Sequence, residues 1–256
     1  MISIAERHKY IKEQMARNGF IRVQDIADQL GVTGATIRKD LRILESQNVL
    51  YRTHGSASPV KPHVMDISIT EKQTQNITQK RMIALAAQNI IKPDDAIILA
   101  SGSTVTAFAE ILQPMGKTLN VVTPSLGIAV LLNEKENIKV VVLGGEMYKN
   151  SLSVRGVYAE QGLTNVSCSK LFIGCDGIDI ESGITCATIQ EARLTKAMMK
   201  AASKTVVLAD SSKFGRRGFG KIGEIGDIDI IITDSGISDT LKEQIEGAGV
   251  QIIIAN

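Results

Sequence analysis

Between positions 33 and 42, Thr33, Thr36, Arg38, Lys39 and Arg42 place two hydroxyls and three cations close together. A helix that buries Ile37, Leu41 and Leu44, spaced i, i+4, i+7, turns these five toward solvent or a partner. Hydroxyls and cations near a helix start are how a recognition helix meets base edges and phosphates. Farther along, Ser101-Gly102-Ser103-Thr104 offers small residues that let backbone N–H groups approach an anion. Its hydroxyls add donors, and a helix starting there adds partial positive charge, which suits a phosphate. The loop lacks the GxxxxGK[ST] pattern, which argues against a nucleoside triphosphate site. Asp176, with Gly177 and Asp179 after it, stands just beyond one apolar run, and Asp210 with Lys213 beyond another. A carboxylate there can accept sugar hydroxyls while Lys213 neutralises a phosphate.

These residues need elements to hold them. Residues 4–57 carry three helical patterns and a short strand-like end. The first helix buries Ile11 and Met15, and the second, from about Val23 to Leu30, buries Ile26, Ala27 and Leu30. Gly31-Val32 reads as the tight turn of a helix-turn-helix, with Thr33 as N-cap of the third helix. Asn48 to Gly55 then combines a strand, a glycine turn and the basic residues Arg52 and His54, which predicts a β-wing gripping the backbone of double-stranded DNA. Two prolines and small polar residues between 55 and 66 signal a linker. The expected division is a reader over 1–57, a linker over 58–73 and a second domain over 74–256.

In that second domain the segment from Thr74 to Ile90 has near-helical spacing of Ile77, Ile83, Ala84, Ala87 and Ile90. Seven runs, Ala96 to Ala100, Leu119 to Thr123, Ile138 to Leu143, Leu171 to Gly174, Thr205 to Ala209, Ile228 to Thr233 and Gln251 to Ile254, are apolar throughout, as strands buried on both faces should be. Helical stretches between them, such as Val105 to Leu112, Thr188 to Ala202 and Ser238 to Ala248, predict an α/β fold with a mainly parallel sheet. Ligands of such sheets bind at the carboxyl ends of the strands. The Ser101 loop, Asp176 and Lys213 converge there on a site for a small phosphorylated sugar or polyol. Gly215 to Gly220, rich in Gly and Arg, reads as an exposed loop.

The composition fits a globular chain, with 44% hydrophobic and 22% charged residues among 256. No run approaches the roughly 18 apolar residues of a spanning helix, so no membrane partner is expected. The N-terminus lacks the layout of a signal peptide, which predicts a cytoplasmic location. Three cysteines at no CxxC spacing and three histidines make no metal-ligand cluster, and no cofactor is expected. The net charge of +2 divides unevenly: residues 1–62 carry ten Lys/Arg against six Asp/Glu, and residues 63–256 carry nineteen against twenty-one. The excess of cations in the reader points it toward a polyanion.

Leu30-Gly-Val-Thr-Gly-Ala-Thr-Ile-Arg-Lys-Asp-Leu41, with Leu44-Glu45 and Arg52-Thr-His-Gly55, closely resembles the N-terminal signature of the DeoR family of bacterial sugar-operon regulators. The resemblance implies that Thr33, Thr36, Arg38, Lys39 and Arg42 contact an operator. It continues through Ser101 to Thr104, Gly144-Gly145, Ser151-Leu-Ser-Val-Arg155-Gly156, Asp176-Gly-Ile-Asp179, Gly183-Ile-Thr185, Glu191-Ala192 and Asp210-Ser-Ser-Lys213-Phe-Gly215, nearly end to end. It implies an effector site formed by Ser101, Gly102, Ser103, Thr104, Arg155, Asp176, Gly177, Glu191 and Lys213. A homo-oligomeric repressor of a carbohydrate catabolic operon follows, released by a phosphorylated sugar or polyol and without enzymatic activity. The chain departs from many members at Ala100, where they carry an acid.

The same half is similar to ribose 5-phosphate isomerase in the Ser101 loop, the Asp176-Gly-Ile-Asp179 segment and Glu191. That second likeness implies a rival role for Glu191, as the general base that moves a proton along an enediol. Where the isomerase has a lysine leading a run of glycines, this sequence has Glu181-Ser182-Gly183-Ile184. Without that electrophile, binding without turnover is the expectation. The expected architecture is a winged helix-turn-helix followed by a mainly parallel α/β sensor.

Overall fold

The computed structural model describes residues 2–18, 20–47, 49–52, 55–58 and 66–256. His54, expected on the wing, and the prolines of the expected linker lie outside them. Helix α1 (Ile4–Asn18) buries Ile11 and Met15 as its spacing predicts, together with Arg7. Strand β1 (Ile21–Arg22) leads into α2 (Val23–Leu30), which ends at Gly31 in the left-handed conformation, φ 61°. The Gly31 N–H turns back to the carbonyls of Ala27 and Asp28. Thr33 caps α3 (Gly34–Ser46): its hydroxyl accepts from the Thr36 N–H at 3.2 Å, satisfying a donor that the first turn would leave unpaired. Strands β2 (Tyr51–Arg52) and β3 (Ser56–Ser58) follow, and β3 pairs antiparallel with both β2 and β1. Ile11, Ile26, Ile37, Leu41, Leu44 and Leu50 form the core of this unit.

Inside the span expected to be linker lies α4 (Ile69–Gln73), and α5 (Ile77–Gln88) follows it, with Asn76 between them at φ 50°. The helix read over Thr74 to Ile90 is present from Ile77 to Gln88, with Ile83, Ala84 and Ala87 buried. Ile77 is 62% exposed, and Lys80 is buried instead. The Lys80 ammonium donates to the carbonyls of Lys72 and Gln75, so its charge satisfies the end of α4 while its stem lies against apolar surface.

The rest of the chain runs β4 (Ala96–Leu99), α6 (Ser103–Ile111), β5 (Leu119–Thr123), α7 (Leu126–Asn133), β6 (Ile138–Val142), β7 (Glu146–Tyr148), β8 (Ser153–Arg155) and α8 (Val157–Gln161). It continues through β9 (Lys170–Ile173), β10 (Gly177–Asp179), β11 (Gly183–Cys186), α9 (Ile189–Lys200), β12 (Thr205–Leu208), β13 (Gly220–Gly223), β14 (Ile230–Asp234), α10 (Asp239–Gly247) and β15 (Gln251–Ala255).

Among the described residues, seven strands make one parallel sheet in the order β15-β14-β12-β9-β4-β5-β6. They are the seven runs that the sequence marks as apolar throughout. Alternate residues serve opposite layers: Ile97, Leu99, Phe172 and Val206 pack with Ile83, Phe108 and Ile128, whereas Ile98, Leu171, Ile173 and Val207 pack with Leu194, Met198 and Ile245. With both faces covered, no polar alternation survives in the central strands. Edge strand β6 departs from this, with Val141 52% and Val142 45% exposed. Two small antiparallel sheets, β7-β8 and β10-β11-β13, lie outside the sequence reading, and β13 takes Gly220 out of the expected loop. Phe20, just before β1, packs on the larger unit, where a Cβ on Gly215 would sit 3.0 Å from its own Cβ.

Candidate functional site

Two groups of side chains merit a chemical reading. In the first, the N-cap and apolar stripe of α3 fix which side of that helix faces outward. Thr33, Arg38, Lys39 and Arg42 are exposed, and Thr36 is half-buried with its hydroxyl 3.0 Å from that of Thr33. Arg38, Lys39 and Arg42 make no ion pair among the described residues, so α3 presents three cations to a polyanion. Arg52 is placed differently. Its backbone N–H and guanidinium both donate to the Glu45 carboxylate, which this pairing holds below its usual pKa.

The far side of α3 is tied down by Asp40, a residue that the apolar stripe does not single out. Arg7 donates to both Asp40 oxygens, at 2.6 and 3.0 Å, and His8 Nε2 lies 3.4 Å from Oδ1. Arg7 also donates to the Ile2 carbonyl at 2.8 Å, and Asp40 holds the Arg7 pKa above its ordinary value. This buried pair ties α1 to α3.

The second group lies at the carboxyl ends of the central strands. β4 ends at Leu99, and the chain turns through Ser101 and Gly102 into α6, where Gly102 has φ 137° and a Cβ on it would lie 3.8 Å from Gly174 Cα. The start of α6 therefore faces the end of β9 at close range, with its unpaired N–H groups and partial positive charge. Ser101, Gly102, Ser103, Thr104, Asp176, Glu191 and Lys213 line one cleft, joined by Gly174, Cys175 and Lys72. Two candidates fall outside this lining. The Arg155 guanidinium stacks 3.8 Å above the Tyr148 ring, within electrostatic reach of Glu191. Gly177 serves close packing: a Cβ there would lie 2.3 Å from the Arg216 carbonyl oxygen.

Asp176 is buried, and both of its oxygens have partners. Oδ2 accepts from the Ala187 N–H at 3.0 Å, and Oδ1 accepts from Lys72 Nζ at 2.6 Å. Burial opposes the charge on Lys72, but the carboxylates of Asp176, Glu191 and Asp66 outweigh it and hold its pKa above the ordinary value. Glu191 is pushed up to about 7, by burial first and by Asp176 second, with Lys72 pulling the other way. Burial also raises the Cys175 thiol well above its usual range, so it stays neutral. Nearby, Asp210 Oδ1 accepts from Asn76 Nδ2 at 2.9 Å, while its buried Oδ2 has no partner among the described residues. A buried acceptor left open beside Lys213 is a place for a hydroxyl or a water.

Lys72, Asn76 and Lys80 escaped the sequence reading because a lysine or asparagine next to a linker looks solvated. The open acceptor on Asp210 had only its strand-end position as a signal. In the expected Gly215 to Gly220 loop, Arg217 pairs with Asp179 at 2.9 Å and with Glu181 at 3.0 Å. Where the isomerase pattern has a lysine, Glu181 thus closes a surface ion pair.

Residues 75–235 match the family model described as the DeoR C terminal sensor domain, and residues 7–62 match the DeoR-like helix-turn-helix domain. The chain is 35% identical to the uncharacterized HTH-type transcriptional regulator YulB of Bacillus subtilis (strain 168), over 97% of this chain and 96% of that protein. It is 30% identical to the HTH-type transcriptional repressor GlcR of the same organism, over 97% of this chain and 95% of that protein. A solved ribose 5-phosphate isomerase A from Methanocaldococcus jannaschii is similar at 19% identity and a TM-score of 0.41, covering 55% of each chain, which is too remote to carry a function. Among the described residues no helix is long and apolar enough to cross a membrane. With both of its family models matched in order and relatives aligned along almost its whole length, the chain belongs to the DeoR family of transcriptional regulators.

Proposed function

We propose that this protein is a cytoplasmic, homo-oligomeric repressor that holds an operator through α3 and the wing and is released by a phosphorylated sugar or polyol. The observation that carries the reading is the pairing, in one chain, of a helix with three exposed cations that make no ion pair among the described residues and a strand-end cleft suited to an anion. In the cleft the start of α6 and Lys213 receive the phosphate and Asp176 accepts a hydroxyl, while Asp210, buried just outside the lining, offers its open oxygen to a second hydroxyl or a bridging water. Two readers in one oligomer occupy two operator half-sites, and ligand favours the arrangement of subunits that cannot reach both. The name of the GlcR relative, a transcriptional repressor, supports the negative sign of regulation.

The test is an operator-binding titration with a panel of phosphorylated sugars and polyols. One member should lower affinity by at least about fivefold, the usual scale of coupling between sites. A panel that leaves affinity unchanged would count against effector release.

A second reading, an isomerase with Glu191 as base, is favoured by one observation: a carboxyl pushed up to about 7 suits proton abstraction near neutral pH. Against it stands Glu181, tied to Arg217, where an electrophilic lysine is required. Incubation with aldose phosphates decides the matter, since a regulator returns them unchanged.

A further inference from the structure

The structure assigns Lys72 the role of an internal occupant of the cleft: its ammonium holds the place on Asp176 that a ligand hydroxyl takes, and ligand must displace it together with α4. This inference rests on the reading of the cleft as an effector site. Asp176 is buried, with Oδ2 held by the Ala187 N–H and Lys72 Nζ seated on Oδ1, so a ligand hydroxyl that reaches Oδ1 from the cleft meets the ammonium first. The space between the lining residues is about 50 Å³, whereas small-molecule sites run to roughly 300–1,000 Å³. A second cavity of about 520 Å³ opens between α5 and α6, lined by Gln73, Lys80, Arg81, Thr106, Glu110 and, in common with the cleft, Ser103. Lys72 lines the cleft and the next residue, Gln73, lines this cavity, so α4 borders both spaces and its withdrawal enlarges the cleft.

The same segment is fastened across the ligand loops. Asn76 holds Asp210 and Ser212, the Ile69 N–H donates to the Asn150 carbonyl, and Tyr148 donates to Asp66. It is also the first described stretch of chain after the reader. Displacing Lys72 therefore moves the piece of chain through which the reader is attached, and a ligand that makes no contact with the reader changes its placement.

Hydrogen exchange and operator titration on the full chain test this, with Lys72→Met and Asp176→Asn as independent ways to break the pair. In the absence of any ligand, both variants should exchange the amides of residues 72–75 at least tenfold faster than the parent chain and bind operator at least fivefold more weakly. Parent-like exchange in both variants would overturn the proposal. Glycerol 3-phosphate, ribose 5-phosphate and fructose 6-phosphate serve as probes. Any of them that binds should bind Lys72→Met several-fold more tightly, because an internal competitor is gone. Weaker binding to that variant would make Lys72 a ligand contact and overturn its role as occupant. If no probe binds any of the three proteins while exchange still rises in both variants, the effector reading for these phosphates fails and the latch between Lys72 and Asp176 stands.

Discussion

Arg52 and Glu45 are joined twice, by the Arg52 backbone N–H to Oε1 at 3.0 Å and by its Nε to Oε2 at 2.6 Å. The pair fixes strand β2 to the last turns of α3, so the wing takes its position from the recognition helix itself. Arg52→Ala and Glu45→Gln should both weaken operator binding, by up to about fivefold, since a half-exposed pair is worth at most ~1 kcal/mol. A fluorescence-anisotropy titration at fixed salt checks this. Weakening by Arg52→Ala alone would put the guanidinium on DNA instead.

Arg38, Lys39 and Arg42 are exposed on α3 and unpaired among the described residues. Changed singly to alanine, each residue that meets a phosphate should reduce the slope of log affinity against log salt by about 0.9. One that reads a base edge should relax sequence preference at a cost of roughly 1–3 kcal/mol. If neither quantity moves for any of the three, α3 is not the reading surface.

Asp40→Asn removes the countercharge of Arg7, which is almost fully buried. Breaking such a pair by removing one partner costs about 3–5 kcal/mol. The loss should be confined to the reader, whose core of Ile11, Ile37, Leu41 and Leu44 is separate from the layers that flank the sheet. Hydrogen exchange should show α1 and α3 deprotected and β4, β9 and β12 unchanged. Uniform deprotection would show that the two units unfold as one.

Glu191 gives a pH signature with a definite sign. Its folded-state pKa of about 7 lies above the ordinary 4.5, so between these values the folded chain holds a proton that the unfolded chain has given up. Ionised Glu191 therefore destabilises the fold: the effect is absent below pH 4.5, grows through the interval and is complete above pH 7. Glu191→Gln, which cannot ionise, should melt above the parent chain at pH 8 by about 2–4 °C for each kcal/mol relieved. The gap should close as the pH falls to 4.5. A melting difference that stays constant over this range would remove Glu191 as its source.

The parallel sheet was legible because strands covered on both faces read as unbroken apolar runs, and Leu171 and Phe172 can serve opposite layers without any polar residue between them. The helix-turn-helix was legible for a local reason: Gly31, Thr33 and the Ile37-Leu41-Leu44 stripe sit within one short stretch of chain. What stayed hidden depends on distant partners. Lys72 and Asp176 are 104 positions apart, and Arg7 and Asp40 are 33 apart. A buried charge looks the same in sequence as a solvated one. The small antiparallel sheets were hidden because their three- and four-residue strands rely on glycines such as Gly177, whose value is the absence of a Cβ against Arg216.

Gly215 lies two positions after Lys213, and Phe20 rests on its bare Cα face at φ 72°. The loop that offers a cation to the cleft thus also serves as the seat for an aromatic ring of the reader. A side chain at 215 would lift that ring off its seat and disturb the left-handed bend in one stroke. The two halves of the protein consequently meet at a fitted ring and seat, and exchanging either half for that of a relative requires the Phe20 and Gly215 surfaces to be transplanted as a matched set.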